Sequence, residues 1–501
     1  ALGHSGQLTL DYPFPVLPPS TVTNLQMEAP QGYKGLHAFH KYWGKKPIES
    51  LAVMIERLTE SNDIVIDPFV GSGFVGREAV LRNRRFIGVD INPIAVELSR
   101  LILDLPDPNL LRSAALDIES RVRESINNTY SMAEGGTATH YLWKGETLQS
   151  VWTTALGKRG RQERQPNPYD EGRVIEYENY VFQYPRPLRL FHNSRINTSE
   201  SITLDALFTG RARHNIDLLL HAISLQPTDV QNTLKLALTS ASGQMSRMVF
   251  AITGRGKMSG VVSEKVEVGS WVIGYWRPEL HFEVNVWNCF QHRVSVMLKA
   301  LNSLSAKERK YPTGTLSDVL NSDAQAAILE ANAKEVLSAM PSESASLIIT
   351  DPPHGDRIPY LELSEMWNAL LGKAPALESE IVVSNARGRG KSKSVYSEDM
   401  RVVLQQAGRV LKSGKFLAVL FNARDSASWE ALSCEALALS SLCYKGSFPL
   451  HYSANSVVQD NRKGGLKTDF VLLYQKSGGA ADTFDAMLQD LPGWSERFPT
   501  L

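Results

Sequence analysis

Apolar and polar positions change rhythm several times along the chain. After Lys46-Pro47, residues Ile48 to Leu58 repeat apolar positions at helical spacing. Asp63-Ile64-Val65-Ile66-Asp67 is a short apolar run closed by turn residues, which predicts a buried strand. Phe74 to Arg84 reads as a helix and Phe86 to Val89 as a second strand. Strand, glycine-rich turn, helix, strand is a βαβ unit, and such units build parallel sheets covered by helices. Past residue 104 the rhythm is lost. Gly135-Gly136, Gly160 and Pro166-Asn167-Pro168 break the pattern, and Tyr169 to Phe191, rich in Tyr, Phe, Pro and Arg, predicts short strands and loops. Leu204 to Phe250 reads as helical, Val261 to Phe282 alternates like strands, and Val284 to Leu304 is helical again. The βα rhythm returns at Ala326 to Leu329, Ala345 to Thr350, Phe416 to Phe421 and Phe470 to Tyr474, all predicted strands. The expected architecture is an α/β sheet in two parts, residues 35–104 and 326–476, around a large α+β insertion at 105–325. Residues 1–34 form a Pro-rich arm and 477–501 a tail.

Composition narrows the class. The chain has 501 residues, 43% of them hydrophobic, enough for one large core and a further domain. Lys plus Arg and Asp plus Glu number 53 each, so any nucleic acid must be held by local rather than overall charge. Three cysteines, Cys289, Cys434 and Cys443, are too scattered for a disulfide scaffold or a Cys-rich zinc site, which fits a reducing, cytoplasmic setting. No membrane span and no secretory signal are expected.

The sharpest local signal is Asp67-Pro68-Phe69-Val70-Gly71-Ser72-Gly73, between the first strand and its helix. Glycines let a backbone turn tightly against a ligand. A carboxylate at a strand's carboxyl end can attract an ammonium group, and the following helix start favours a carboxylate. Asp90 stands 23 residues later, where an acidic side chain can accept two ribose hydroxyls. Neither G-x-G-x-x-G nor G-x-x-x-x-G-K is present, so the expected ligand carries a nucleoside without a pyrophosphate. That points to S-adenosylmethionine (SAM). Taken alone, the turn fits many α/β proteins; Asp90 with Asn92-Pro93 behind it is what favours SAM.

These segments, D-P-F-x-G-S-G and G-V-D-I-N-P, resemble motifs I and II of the amino-methylating DNA methyltransferases. His40-Lys41-Tyr42-Trp43-Gly44-Lys45-Lys46-Pro47 resembles the same family's motif X. The resemblance implies a Rossmann-like SAM-dependent methyltransferase sheet. Its implied cofactor residues are Tyr42, Trp43, Lys46, Asp67, Pro68, Phe69, Gly71, Ser72, Gly73, Asp90, Ile91, Asn92 and, 19 residues before Asp351, Asn332.

Leu347-Ile348-Ile349-Thr350 runs into Asp351-Pro352-Pro353-His354, which resembles the family's D/N/S-P-P-aromatic motif. An exocyclic amino nitrogen is a poor nucleophile because its lone pair is delocalised into the ring. The Asp351 carboxylate and Pro352 carbonyl are expected to hold its two hydrogens and turn the lone pair toward the methyl donor. Consecutive prolines stiffen the loop. His354 occupies the position of the residue that stacks on a flipped base. The leading Asp favours adenine N6 over cytosine N4, by association within the family. Double-stranded DNA is the expected partner; whether a restriction or defence partner exists is left open by the sequence. Asp351 follows Asp67 by 284 residues, which leaves room for a target-recognition domain.

Basic runs stand at Lys158-Arg159-Gly160-Arg161 and Arg462-Lys463, and a Gly-spaced one includes Arg387, Arg389, Lys391 and Lys393. The last is expected to be a mobile loop on the phosphate backbone. Trp271, Tyr275, Trp276 and Arg277 are either part of a DNA surface or core aromatics. Leu207–Arg211 and Glu283–Trp287 resemble a group of bacterial DNA methylases that often carry a zinc ribbon. With no cysteine near 140–185, no metal is expected. Two rivals stay open. Asp351 to Arg357 also resembles the D-P-P-Y-G-x-R of RNA guanine-N2 methyltransferases, and a non-catalytic DNA-binding subunit of a defence system would carry His354 as a mark of decay.

Overall fold

The computed structural model describes residues 33–154, 160–254, 265–354, 358–421, 441–449 and 470–476. The Pro-rich arm up to 32, Lys158-Arg159, Gly355 to Arg357, Cys434, Arg462-Lys463 and the tail lie outside the described residues.

Seven strands make the main sheet: β1 (Ile64–Asp67), β2 (Arg85–Asp90), β9 (Ala326–Glu330), β10 (Ala345–Thr350), β11 (Leu411–Phe421), β12 (Leu442–Pro449) and β13 (Phe470–Lys476). Their order is β12-β13-β11-β10-β1-β2-β9. The five from β11 to β9 are parallel, while β13 runs antiparallel to both β11 and β12. β1 and β10 sit at the centre and are buried throughout. Each has helices on both faces, so neither strand alternates with polar residues. Val65, Leu347 and Ile349 point to one face, against Leu51 and Ile55 of α1 (Ile48–Leu58) and Ala79 of α2 (Phe74–Leu81). Ile64, Ile66 and Ile348 point to the other, against Leu337, Met400 and Val403. The chain leaves β1 for β2 on one side, and β10 lies on the other. The strand order therefore reverses between β1 and β10, and a crevice opens at their carboxyl ends.

Residues 105–325 hold a second, antiparallel sheet of six strands, in the order β5-β4-β3-β8-β6-β7. They are β3 (His140–Lys144), β4 (Thr147–Thr154), β5 (Arg161–Arg164), β6 (Val249–Ile252), β7 (Glu267–Val268) and β8 (Leu280–Val284). The helices of this region share one hydrophobic cluster with the elements around the crevice. Ile118, Ile216, Leu234, Leu238 and Phe290 pack in it with Ile94, Leu98, Trp43 and Trp367.

Local differences from the sequence reading have local causes. Pro108–Thr129 is a helix capped by the Asp107 side chain. Tyr169 to Phe191, expected as strands and loops, begins with the helix Pro168–Tyr177, started by a capping box between Asn167 and Asp170. The helical stretch 204–250 divides into Gly210–Ser224 and Thr228–Met245 at Pro227. Of the alternating stretch 261–282, the described strands are Glu267–Val268 and the first residues of Leu280–Val284.

Candidate active site at the sheet's switch point

The crevice is a cleft enclosing about 870 Å³, open solvent at its mouth included. Asp67 ends β1 and is buried; its carboxylate accepts the Phe69 N–H at 3.0 Å. Burial pushes the Asp67 carboxyl up to about 8, with smaller pushes from the charges of Asp351 and Asp90. Asp90 ends β2 and accepts the N–H of Gly71 at 2.8 Å and of Asn92 at 2.9 Å. Burial raises its carboxyl to about 6. The Asp90 carboxylate thus shapes the glycine turn and still lines the cleft.

Gly73 adopts a φ of +84°, and a Cβ there would lie 2.7 Å from the Ser99 backbone. Close approach between the turn and Ser99 of the helix Pro93–Leu103 requires glycine at this position. Asn92 is buried and bonded to Ser364 Oγ at 2.8 Å and to Asn368 at 3.0 Å. It ties the end of β2 to the helix Tyr360–Leu370.

The segment expected over the cleft is there. Tyr42, Trp43 and Lys46 all line it. Tyr42 lies against Gly71, and its ring stacks near Tyr360 with centroids 6.0 Å apart and an interplanar angle of 21°. Trp43 stacks on Trp367 at 4.7 Å, and its buried indole N–H has no hydrogen-bond partner among the described residues. Lys45 donates to the carbonyls of His37 and His40 at 2.5 Å each, and burial brings its ammonium down to about 7.

Asp351 follows β10, the strand paired beside β1. One carboxylate oxygen lies 3.0 Å from the Lys46 ammonium, the other 2.7 Å from Nε2 of His354. The same His354 nitrogen faces the Leu420 carbonyl at 3.2 Å. Since both neighbours are acceptors, Nε2 carries the proton. The Tyr396 hydroxyl donates to the Pro353 carbonyl at 2.5 Å and pins the loop. Fourteen of the sequence-predicted residues line the one cleft: Tyr42, Trp43, Lys46, Asp67, Pro68, Phe69, Gly71, Ser72, Asp90, Ile91, Asn92, Asn332, Asp351 and Pro353. Gly73, Pro352 and His354 are absent from its lining.

Three expectations need correction. His354 was expected to offer a ring to a base, but it is 7% exposed and bonded to Asp351. Asn332 was expected to face a ligand through its carbonyl, but that oxygen caps the helix Ala333–Ala339 through Lys334 N–H at 2.9 Å. Its amide donates to the Ser379 carbonyl at 2.8 Å, so it lines the cleft mainly as a cap. Arg389 and Lys391 were expected on a mobile phosphate-binding loop, and both are buried. Arg389 is paired with Glu362 at 2.9 Å and Glu380 at 2.7 Å; Lys391 donates to the Glu378 carbonyl at 2.5 Å. Two buried carboxylates need a counter-charge more than solvent needs a loop arginine. Only Arg387 and Lys393 of the four are exposed.

Of the aromatic run, Trp271 and Tyr275 are core residues, while Trp276 is 56% exposed and Arg277 pairs with Glu146 at 2.7 Å. The sequence reading missed Tyr360, Lys45 and Glu380, all of which line the cleft. Tyr360 had a usable signal, an aromatic opening an amphipathic run soon after Asp351-Pro352-Pro353; Glu380 had none. Among the described residues no group of His, Cys, Asp or Glu could hold a metal ion. Nor is any helix among them long and apolar enough to cross a membrane.

Residues 18–101 match the N6/N4 methyltransferase family, described as DNA methylase. The type II methyltransferase M.XycI of Xanthomonas campestris pv. cyanopsidis is 39% identical over 69 residues, 14% of this chain and 23% of that protein. The type II methyltransferase M.MjaII of Methanocaldococcus jannaschii is 30% identical over 95 residues, 19% of this chain and 18% of that protein. The chain thus spans less than a quarter of either relative's length. A solved structure described as "Crystal Structure of PH0851" aligns over 36% of this chain and 40% of its own at 13% identity and a TM-score of 0.20, too distant to bear on the fold.

Proposed function

We propose, from the amino-methylating DNA methyltransferase family that these matches support, that the chain is a SAM-dependent DNA methyltransferase acting on an exocyclic amino group, adenine N6 in the first instance. We read the main sheet as the Rossmann-like methyltransferase sheet, and 105–325 as the insertion that recognises the target. The observation that carries this reading is one cleft shared by Asp67, Asp90 and Asp351 at the switch point of a parallel sheet.

The residues present fit SAM. Asp67 and Asp90 are acceptors for an ammonium group and for ribose hydroxyls, the turn at Gly71 lines the cleft beside them, and the buried Trp43 indole N–H is a donor with no partner among the described residues. When bound, SAM supplies an electrophilic methyl group. The chain's own part is to prepare the amine. Lys46 and the His354 N–H bind the Asp351 carboxylate and hold it in one orientation. Each carboxylate oxygen retains a further lone pair, so Asp351 can accept an amino hydrogen without releasing either neighbour. The Pro352 carbonyl is the second acceptor in this reading. Withdrawing both hydrogens into fixed acceptors localises the nitrogen lone pair, an effect largest in the transition state. The type II names of the relatives support a restriction partner.

The test is Asp351→Ala. Methyl transfer should fall below detection while calorimetric SAM affinity stays within about two-fold of wild type. Full transfer by this variant refutes the mechanism. Nucleoside mass spectrometry of DNA from expressing cells decides the base, and N4-methylcytosine as sole product overturns the adenine reading.

A further inference from the structure

An enzyme that works on an extruded base must offer it a flat apolar face near the reacting carboxylate. The sequence presents His354 for that task, and the structure removes it. Its ring is buried, its Nε2 is committed to Asp351 and the Leu420 carbonyl, and it does not line the cleft. Another aromatic residue lines the cleft near that carboxylate. Tyr360 opens the helix Tyr360–Leu370, is half-buried and lines the cleft. A Cβ placed on Gly44 would lie 3.1 Å from the Tyr360 hydroxyl and 3.8 Å from the Asp351 carboxylate. Both groups therefore border the same small space, which Gly44, at a φ of +80°, leaves free of side chain. Behind Tyr360 the Tyr42 ring lies nearly parallel at 6.0 Å, and Tyr42 itself rests on the Gly71 turn. A ring braced in this way loses little freedom when a second ring stacks on it.

We propose that Tyr360 is the platform on which the target base stacks, and that His354 is a positioning residue that aims Asp351. The inference rests on the DNA methyltransferase reading and moves the stacking duty expected of His354 to Tyr360. Stacking on a π face is worth about ten-fold or more in base capture, with little dependence on which base is held. Aiming a carboxylate acts on turnover instead.

The experiment first locates a methylated site by sequencing DNA modified by the wild-type protein. A duplex carrying a fluorescent analogue at that base, 2-aminopurine for adenine or pyrrolocytosine for cytosine, then reports extrusion. Steady-state kinetics and calorimetric SAM binding accompany it. Tyr360→Ala and Tyr360→Leu should each weaken analogue binding and raise KM about ten-fold or more, with SAM affinity unchanged. Tyr360→Phe should restore both. His354→Ala should keep the analogue signal and KM but lower kcat, and His354→Asn, which still offers an N–H, should recover part of kcat. The leucine variant keeps the bulk and guards against misfolding of the alanine one. An analogue signal that survives in Tyr360→Leu, or vanishes in His354→Ala, overturns the inference. Failure of the wild-type protein to methylate any DNA overturns the methyltransferase reading, and the inference with it.

Discussion

Replacing Arg389 by alanine separates a structural lock from a phosphate contact. Its guanidinium is 1% exposed and bonds Glu362 at 2.9 Å, Glu380 at 2.7 Å and the Leu377 carbonyl. Glu362 also accepts from Ser384 Oγ at 2.6 Å and from Asn193 at 2.9 Å, and Glu380 holds the Leu361 N–H at 3.1 Å. Removing one partner of a buried ion pair costs about 3–5 kcal/mol, because the remaining charge is stranded. Protonation limits the damage. Holding a proton on an ordinary glutamate at pH 7 costs about 3–4 kcal/mol, at about 1.4 kcal/mol per pH unit above its usual value. Burial already raises the Glu380 carboxyl, with Arg389 the opposing influence, so Glu380 is the group that takes the proton. The variant's folded state then binds more protons than its unfolded state, and its stability falls as pH rises. The deficit relative to wild type should be about 3–4 kcal/mol near pH 7 and shrink to about 1 kcal/mol near pH 5. Thermal unfolding followed by circular dichroism at both pH values reads this as a midpoint lowered by about 5 °C or more at the higher pH. Arg387→Ala, at an exposed position, should change stability by less than about 0.5 kcal/mol. An Arg389→Ala protein as stable as wild type, whose DNA affinity loses about one unit of salt slope, would refute the reasoning and restore Arg389 to the DNA surface.

Two further outcomes follow from the cleft. Burial holds the Asp67 carboxyl at about 8 and Asp90 at about 6, whereas a bound ammonium favours the ionised carboxylate. SAM binding should therefore release protons and weaken as pH falls from 8 to 6, by up to about ten-fold per unit; calorimetry in buffers of different ionisation enthalpy checks it, and pH-independent binding rejects the pairing. Gly73→Ala puts a Cβ 2.7 Å from the Ser99 backbone at a φ of +84°, so it should lower stability by about 2 kcal/mol or more and abolish SAM binding; a variant that binds SAM with wild-type affinity counts against the close packing described.

What the sequence determined by itself was local and periodic. Buried strands such as Ile64–Asp67 and Ala345–Thr350 reveal themselves because both of their faces are covered and polar residues have no place in them. The turn at Gly71 and Gly73 is legible because both take a positive φ and a Cβ at Gly73 would strike the Ser99 backbone, and Asp67 and Asp351 because each carboxylate closes such a strand. Capping boxes and the short hairpin strands of 105–325 were available in principle but lay below the noise of composition. Tertiary structure alone decided which of two like charges does what. Arg389 and Arg387 stand two residues apart in one basic run, and only folding reveals that Glu362 and Glu380 are buried within reach of the first. Likewise, nothing local tells His354 from a stacking ring, because its partner Leu420 is 66 residues away and Tyr360 joins the cleft through a helix packed from behind. Side-chain identity is written along the chain, whereas the neighbours that set its charge and exposure are assembled across it.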